Sequence, residues 1–175
     1  LKIHSQYSIC EGALKIEDLA KQCKENKTKA IGICDSYNLC GALEFSESIA
    51  KSKTQPIIGT QINILHKGQI GKIPLFAKNL EGYKNLIKLS SKSFLEIEES
   101  DEPHCKIEDI EKNCNGLILL SGSFDGLIGK LFLKNLTDEI FLLFKRFKKA
   151  FNENFYLEIQ RHNDDGEKLF EKFLL

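Results

Sequence analysis

The chain has 175 residues, 42% of them hydrophobic and 29% charged, the make-up of a globular domain rather than a disordered segment. Basic and acidic side chains number 25 each, so whole-chain charge offers no steering toward nucleic acid. Six cysteines without a C-x-x-C pair argue against a structural zinc site, and no apolar run has membrane-spanning length. No secretory leader is visible, so the expectation is a reducing, cytoplasmic protein with no membrane partner. The chain opens on Leu1 rather than Met and reads as a segment of a longer product.

Leu1 to Ser5 reads as a short strand ending at His4, followed by a polar loop through Glu11-Gly12. Ile16, Leu19, Ala20 and Cys23 recur at helical spacing. Ala30 to Cys34 is a short apolar run suited to a buried strand, with Asp35 at its carboxyl end and a helix from Ala42 to about Ala50 after it. Ile57 to Ile64 reads as a strand, Lys67-Gly68 and Gly71 as a hairpin turn, and Lys72 to Ala77 as the returning strand. A helix is expected over Asn79 to Lys92, then a mobile acidic loop from Glu96 to Pro103 and a short helix from Ile107 to about Lys112. Gly116 to Ser121 is a strand, Gly126 to Leu133 a helix, Ile140 to Phe151 the strongest helix, Phe155 to Gln160 a strand, and Lys168 to Leu175 a helix.

Strands and helices mostly alternate, which predicts a parallel α/β arrangement. His4, Asp35, Gln61, Ser121 and His162 fall at the carboxyl ends of strands, where such folds gather their chemistry. The organising stretch is Ala30-Ile-Gly-Ile-Cys-Asp-Ser-Tyr-Asn-Leu-Cys-Gly41: a strand that ends in a carboxylate and turns straight into a helix. Asp35 or Ser36 merely capping that helix is the plain alternative. No strand follows the last helix, so a barrel built from this chain would lack its final strand or strands. The edge so exposed calls for a dimer or a covering C-terminal helix.

His4-Ser-Gln-Tyr-Ser8 with Glu11-Gly12, Asp35-x-x-Asn38-Leu-x-Gly41 and Pro56-Ile-Ile-Gly59 resemble the PHP (polymerase and histidinol phosphatase) domain. Leu75-Phe-Ala-Lys-Asn79, Gly82-Tyr83-x-Asn85-Leu86, Gly116-Leu-Ile-Leu-Leu-Ser-Gly122 and Tyr156-Leu-Glu-Ile-Gln160 with His162 are similar to the version at the N-terminus of bacterial DNA polymerase III alpha subunits, the C-family replicases. The motifs come in family order along residues 1–175. The resemblance implies an α/β, PHP-type distorted β/α barrel, here incomplete, with metal ligands at the strand ends. It also implies a parent enzyme that makes DNA with Mg2+ in a palm domain outside this chain. On that reading the partners are the remainder of the polymerase subunit, the proofreading exonuclease subunit, other replicase subunits and, through the parent, DNA.

In metal-binding members His4, Glu11, Asp35 and His162 would match ligands of a Zn2+ or Mn2+ cluster that activates water against a phosphoester. Four other positions depart from that pattern. Lys2 stands for the first histidine of the opening pair, Ser36 for the histidine after the aspartate, Gln61 for a glutamate and Lys72 for a histidine. A protonated ammonium cannot ligate a metal and repels one, and Gln61 removes a carboxylate. The expectation is a vestigial site over Lys2, His4, Glu11, Asp35, Ser36, Gln61, Lys72 and His162, without a cofactor, in which Lys2 or Lys72 pairs with Glu11 or Asp35.

The alternative is an active metal-dependent phosphoesterase or 3′–5′ exonuclease of the PHP family. Ser8 and Ser36 lack the positioned base a nucleophile needs, and His66 and His104 receive no role. The basic amphipathic helix Ile140 to Phe151 suits a membrane surface, nucleic acid or an acidic partner, or is simply an outer helix burying its Phe face.

Overall fold

The computed structural model describes residues 2–98 and 101–175. Two helix–strand units come first: α1 (Ile16–Glu25) leads into β1 (Ala30–Ser36), and α2 (Ala42–Lys51) into β2 (Gln55–His66). Ile16, Leu19 and Cys23 on α1 and Phe45 and Ile49 on α2 are spaced to share one face of each helix. They bury together against Ile33 as a small core of their own.

β2 turns at Lys67-Gly68, both at positive φ (50° and 68°) as a two-residue hairpin turn requires, and returns as β3 (Gln69–Ala77). Gly71 belongs to the strand and not to the turn. A Cβ there would lie 2.4 Å from the Leu127 backbone, so its role is close approach to the helix behind the sheet.

The chain continues through α3 (Leu80–Leu95), β4 (Cys105–Lys106), α4 (Ile107–Lys112), β5 (Leu117–Leu120), α5 (Leu127–Leu133), α6 (Thr137–Phe151), β6 (Phe155–Tyr156) and α7 (Glu167–Leu174). Asn79 caps α3 by accepting the Gly82 N–H at 2.9 Å. The main core lies between the sheet and α3 to α7 and is built from Ile62, Ile64, Ile73, Leu75, Leu119 and Phe147 among others.

The sheet order is β1-β2-β3-β5-β6, with β4 beside the far end of β2. The parallel expectation needs correction: β3 pairs antiparallel with both β2 and β5, so the sheet is mixed. Hairpin geometry forces that reversal, while the helix-linked strands β1 and β2 remain parallel.

The expected strand over Leu1 to Ser5 reduces, among the described residues, to single bridges Ile3–Ile33 and Ser5–Leu14; Leu1 lies outside the described residues. The expected strand Phe155 to Gln160 pairs only at Phe155–Tyr156, because β5 itself ends at Leu120 and Gly122 turns away at φ +82°. In the stretch expected to be a mobile acidic loop, Glu102 and Pro103 are anchored. Both accept hydrogen bonds from the Asn63 amide, at 2.8 and 3.1 Å; Glu99 and Ser100 lie outside the described residues.

Alternate residues of each strand face opposite sides. Opposite the main core, the sheet is apolar below, at Ile57, Phe76, Ile118, Leu120, Tyr156 and Leu157, and polar above. The apolar half lines a groove of about 700 Å³. The sheet curls so far that Lys2, beside β1, lies 3.3 Å from Glu158, which follows β6. This is a barrel-like sheet left unclosed between β1 and β6. α7 packs Phe170 and Phe173 on Phe124, Phe132 and Phe141, and leaves Tyr156 and Leu157 at 53% and 43% exposure.

Candidate functional site

Polar residues collect where β1 ends. Asp35 and Ser36 are consecutive and therefore point to opposite sides of the strand. Asp35, 2% exposed, faces the loop 5–12. It accepts the Ser5 N–H at 2.7 Å, the Ser5 hydroxyl at 2.7 Å and the Ser8 hydroxyl at 2.6 Å. Ser36 faces the polar end of the concave side, where its hydroxyl donates to Glu11 at 2.5 Å and accepts from the Gln61 amide at 3.2 Å. Gln61 reaches this point because β2 pairs in register, Ser36 opposite Gln61.

His4 joins the two groups. The Gln61 amide nitrogen lies 3.3 Å from His4 Nε2, and an amide N–H can only donate, so Nε2 accepts and the ring proton sits on Nδ1. Nδ1 in turn lies 3.3 Å from Ser8 Oγ, which accepts there and from the Ser36 N–H at 3.1 Å while donating to Asp35. Every donor in this chain of contacts meets an acceptor. Burial pulls the His4 pKa below 6.5, only partly opposed by the Glu11 charge and reinforced by Lys2, so the ring is neutral.

Lys72, on the same side from β3, is ion-paired with Glu11 and stands 5.2 Å over the Tyr37 ring. Burial opposes its charge, but the hydrogen bond with Glu11 and the nearby Tyr37 and Glu11 charges more than reverse this and hold it above the usual lysine value. Glu11 is itself held below the usual carboxylate value: burial opposes this and is outweighed by hydrogen bonds from Lys72 and Ser36.

The expected pairing of a lysine with Glu11 is therefore present at Lys72. Lys2 differs, bridging to Glu158 across the open seam and not to Glu11 or Asp35. Glu158 Oε1 also accepts from Gln160, while Oε2 is buried without a partner.

His162 is not part of this cluster. Its ring meets Glu167 at 3.2 Å, and Glu167 also accepts the His162 and Asp164 N–H groups ahead of α7. Because the chain leaves the sheet after Tyr156, His162 is carried to the α7 end of the molecule. Among the described residues, the trio of His, Cys, Asp or Glu with ligand atoms within 4.8 Å of one another is His162, Asp164 and Glu167, not His4, Glu11 and Asp35.

Sequence reasoning missed three contributors. Ser5 is fully buried and holds Asp35 twice. Asp125 accepts from Ser123, and although burial opposes its charge, Ser123, Lys2 and Lys72 keep it below the usual carboxylate value. Glu158 completes the seam. The Ser123-Phe-Asp125 turn straight after a strand was the one available signal for Asp125.

A pH dependence follows. His4 and Glu11 both have folded-state values below their ordinary 6.5 and 4.5, so their contributions are complete above those values and are lost as pH falls through the lowered ones. Urea midpoints should decline from pH 7 downward, and His4→Gln should flatten the first part of the decline. An unchanged slope between pH 7 and 5 in that variant would contradict the neutral, buried ring.

The PHP domain profile matches residues 1–162. The chain is 36% identical over 170 residues to the DNA polymerase III subunit alpha of Caulobacter vibrioides, covering 93% of this chain and 15% of that protein. It is 37% identical over 172 residues to the Rickettsia felis subunit (98% and 14%) and 38% over 173 residues to the Borreliella burgdorferi subunit (93% and 15%). It thus spans about one seventh of the length of these relatives. A solved Bifidobacterium adolescentis structure assigned as a metal-dependent phosphoesterase overlaps 53% of this chain and 31% of its own, with TM-score 0.43 and 15% identity. No helix among the described residues is long and apolar enough to cross a membrane. With motifs in family order and a profile match over most of its length, the chain belongs to the PHP domain family.

Proposed function

We propose that residues 1–175 are the N-terminal PHP module of a bacterial DNA polymerase III alpha subunit, and that its metal pocket has become a metal-free polar scaffold. The observation that carries this is the Lys72 ammonium seated on Glu11, with the other Glu11 oxygen bonded to Ser36. The donor set does not fit a metal cluster. The Nε2 lone pair of His4 meets the Gln61 amide, Asp35 is occupied by three neutral donors, and Lys2 and Lys72 place positive charge where cations would sit. No hydrolytic step is assigned to it.

On this reading the module supports the remainder of the polymerase subunit, and the proofreading exonuclease and other replicase subunits dock on the assembled protein. DNA synthesis, with its Mg2+, belongs to the parent chain.

Metal analysis of the chain after dialysis against excess Zn2+ and Mn2+ tests the pocket. The expected content is well below one ion per chain, with no hydrolysis of a 3′-terminal nucleotide or a model phosphodiester. Two or more tightly bound ions together with turnover would replace this reading with that of an active phosphoesterase. A reading frame continuing past Leu175 into a palm domain with paired aspartates is the expected context of the parent.

A further inference from the structure

At the end of the sheet away from the polar cluster, two neighbouring helix-to-strand corners carry a dense positive patch. Lys24, Lys27, Lys29, Lys51 and Lys53, with Thr28 and Ser52 between them, line an open groove of about 590 Å³. All five lysines are exposed. Among the described residues none of the five lies within 4 Å of a carboxylate, although the whole chain is charge-balanced. On α6, the other basic element, Arg146 is taken up by Glu108 and Glu111, while among the described residues Lys145, Lys148 and Lys149 likewise have no carboxylate within 4 Å.

The patch is built, not scattered. The two corners repeat one geometry. Asn26 (φ −84°, ψ 0°) closes α1 and Ser52 (φ −82°, ψ 5°) closes α2, and each is followed by a lysine at positive φ, Lys27 at 50° and Lys53 at 59°. Glycine is the easier residue in that conformation, yet both corners carry a cation. The corners are tied together: the Thr54 hydroxyl donates to Thr28 O at 2.8 Å and the Gln55 N–H to Lys29 O at 2.9 Å. The negative ends of α1 and α2 favour Lys24 and Lys51 in their last turns and Lys27 and Lys53 directly after the caps, while Lys29 lies beyond both helices.

We propose that this groove docks the phosphodiester backbone of duplex nucleic acid without reading its sequence. Lysines supply point charges for phosphates, and counterion release drives such binding. The groove has no aromatic residue on which an unpaired base would stack and no apolar pocket for a peptide's anchor side chain. It lies about 20 Å from Ser36, the length of seven-residue β1, so it is separate from the polar cluster. The inference rests on charge placement; its failure would leave the metal-free reading standing, since metal content decides that one.

The test is fluorescence anisotropy of a labelled 30-base-pair duplex with the 175-residue chain across a sodium chloride series. For up to five contacts, the slope of log affinity against log salt should approach about −4. K27Q/K53Q should reduce that slope by about 2 and weaken binding roughly a hundredfold at 50 mM salt. K145Q/K149Q, on the exposed side of α6, should change neither, with circular dichroism showing both variants folded. An unchanged slope in K27Q/K53Q, equal losses in the two double variants, or no duplex binding at low salt would overturn the proposal. Tighter binding of a decaglutamate peptide than of the duplex would overturn it as well and assign the surface to an acidic protein.

Discussion

Replacing Asp35 with alanine should lower the unfolding free energy by about 3 kcal/mol, enough to move a urea midpoint by roughly 1.5 M. The carboxylate is 2% exposed and is the common acceptor for the Ser5 N–H, the Ser5 hydroxyl and the Ser8 hydroxyl. Removing it leaves those donors facing a cavity at Ser5 and Ser8, which are 0% and 2% exposed. Each unsatisfied buried donor costs on the order of 1 kcal/mol or more, partly offset because a buried charge is removed as well. Asp35→Asn keeps one acceptor oxygen and should lose about half as much.

Amide exchange at Ser5 and Ser8 should rise in both variants, since the ties then left between the loop 5–12 and β1 are the Ser36 N–H to Ser8 and the Ser36 hydroxyl to Glu11. A midpoint shift of only a few tenths molar for Asp35→Ala would mean that the loop is held elsewhere. Gly12, whose added Cβ would lie 1.9 Å from Ser5 O, would then be the place to look.

Phe147→Ala should cost about 3–5 kcal/mol, while Lys149→Gln on the same helix should stay within about 0.5 kcal/mol. Ile140, Leu143, Phe147 and Phe151 are all buried, at intervals of three and four residues along α6. Phe147 is fully buried and packs its ring on Phe155 at 5.7 Å, joining α6 to β6. The cavity left by alanine would lie between helix and sheet, where neither can collapse without breaking the β5–β6 pairing. The apolar face of α6 is therefore an interior face and is unavailable to a membrane. Vesicle binding by the intact chain, or a Phe147→Ala loss below 1 kcal/mol, would contradict this placement.

Local patterns were legible wherever their cause is local. The apolar run before Asp35, the spacing along α6 and the Lys67-Gly68 turn each depend on a few adjacent residues, and each appears where periodicity and turn chemistry put it. The family motifs were legible for the same reason, as short strings in a fixed order.

Pairing across the chain was not legible. β6 has two residues instead of six because a strand exists only as far as its partner does, and Leu120 ends that partner. Gly71 resembled a turn residue until α5 was packed against it. His162 matched a motif by position, but the irregular stretch after Tyr156 carries it to Glu167.

By itself, then, the sequence determined the family, the helices and longer strands, and the residue types available to the pocket, because these follow from side-chain chemistry and short-range spacing. Tertiary structure alone decided which lysine met which acid. Lys2 reaches Glu158 only because the sheet curls its two ends together, and Lys72 reaches Glu11 because β3 lies two strands from β1 on the same side as the loop 5–12; ion pairing falls off over a few ångströms that no sequence distance encodes.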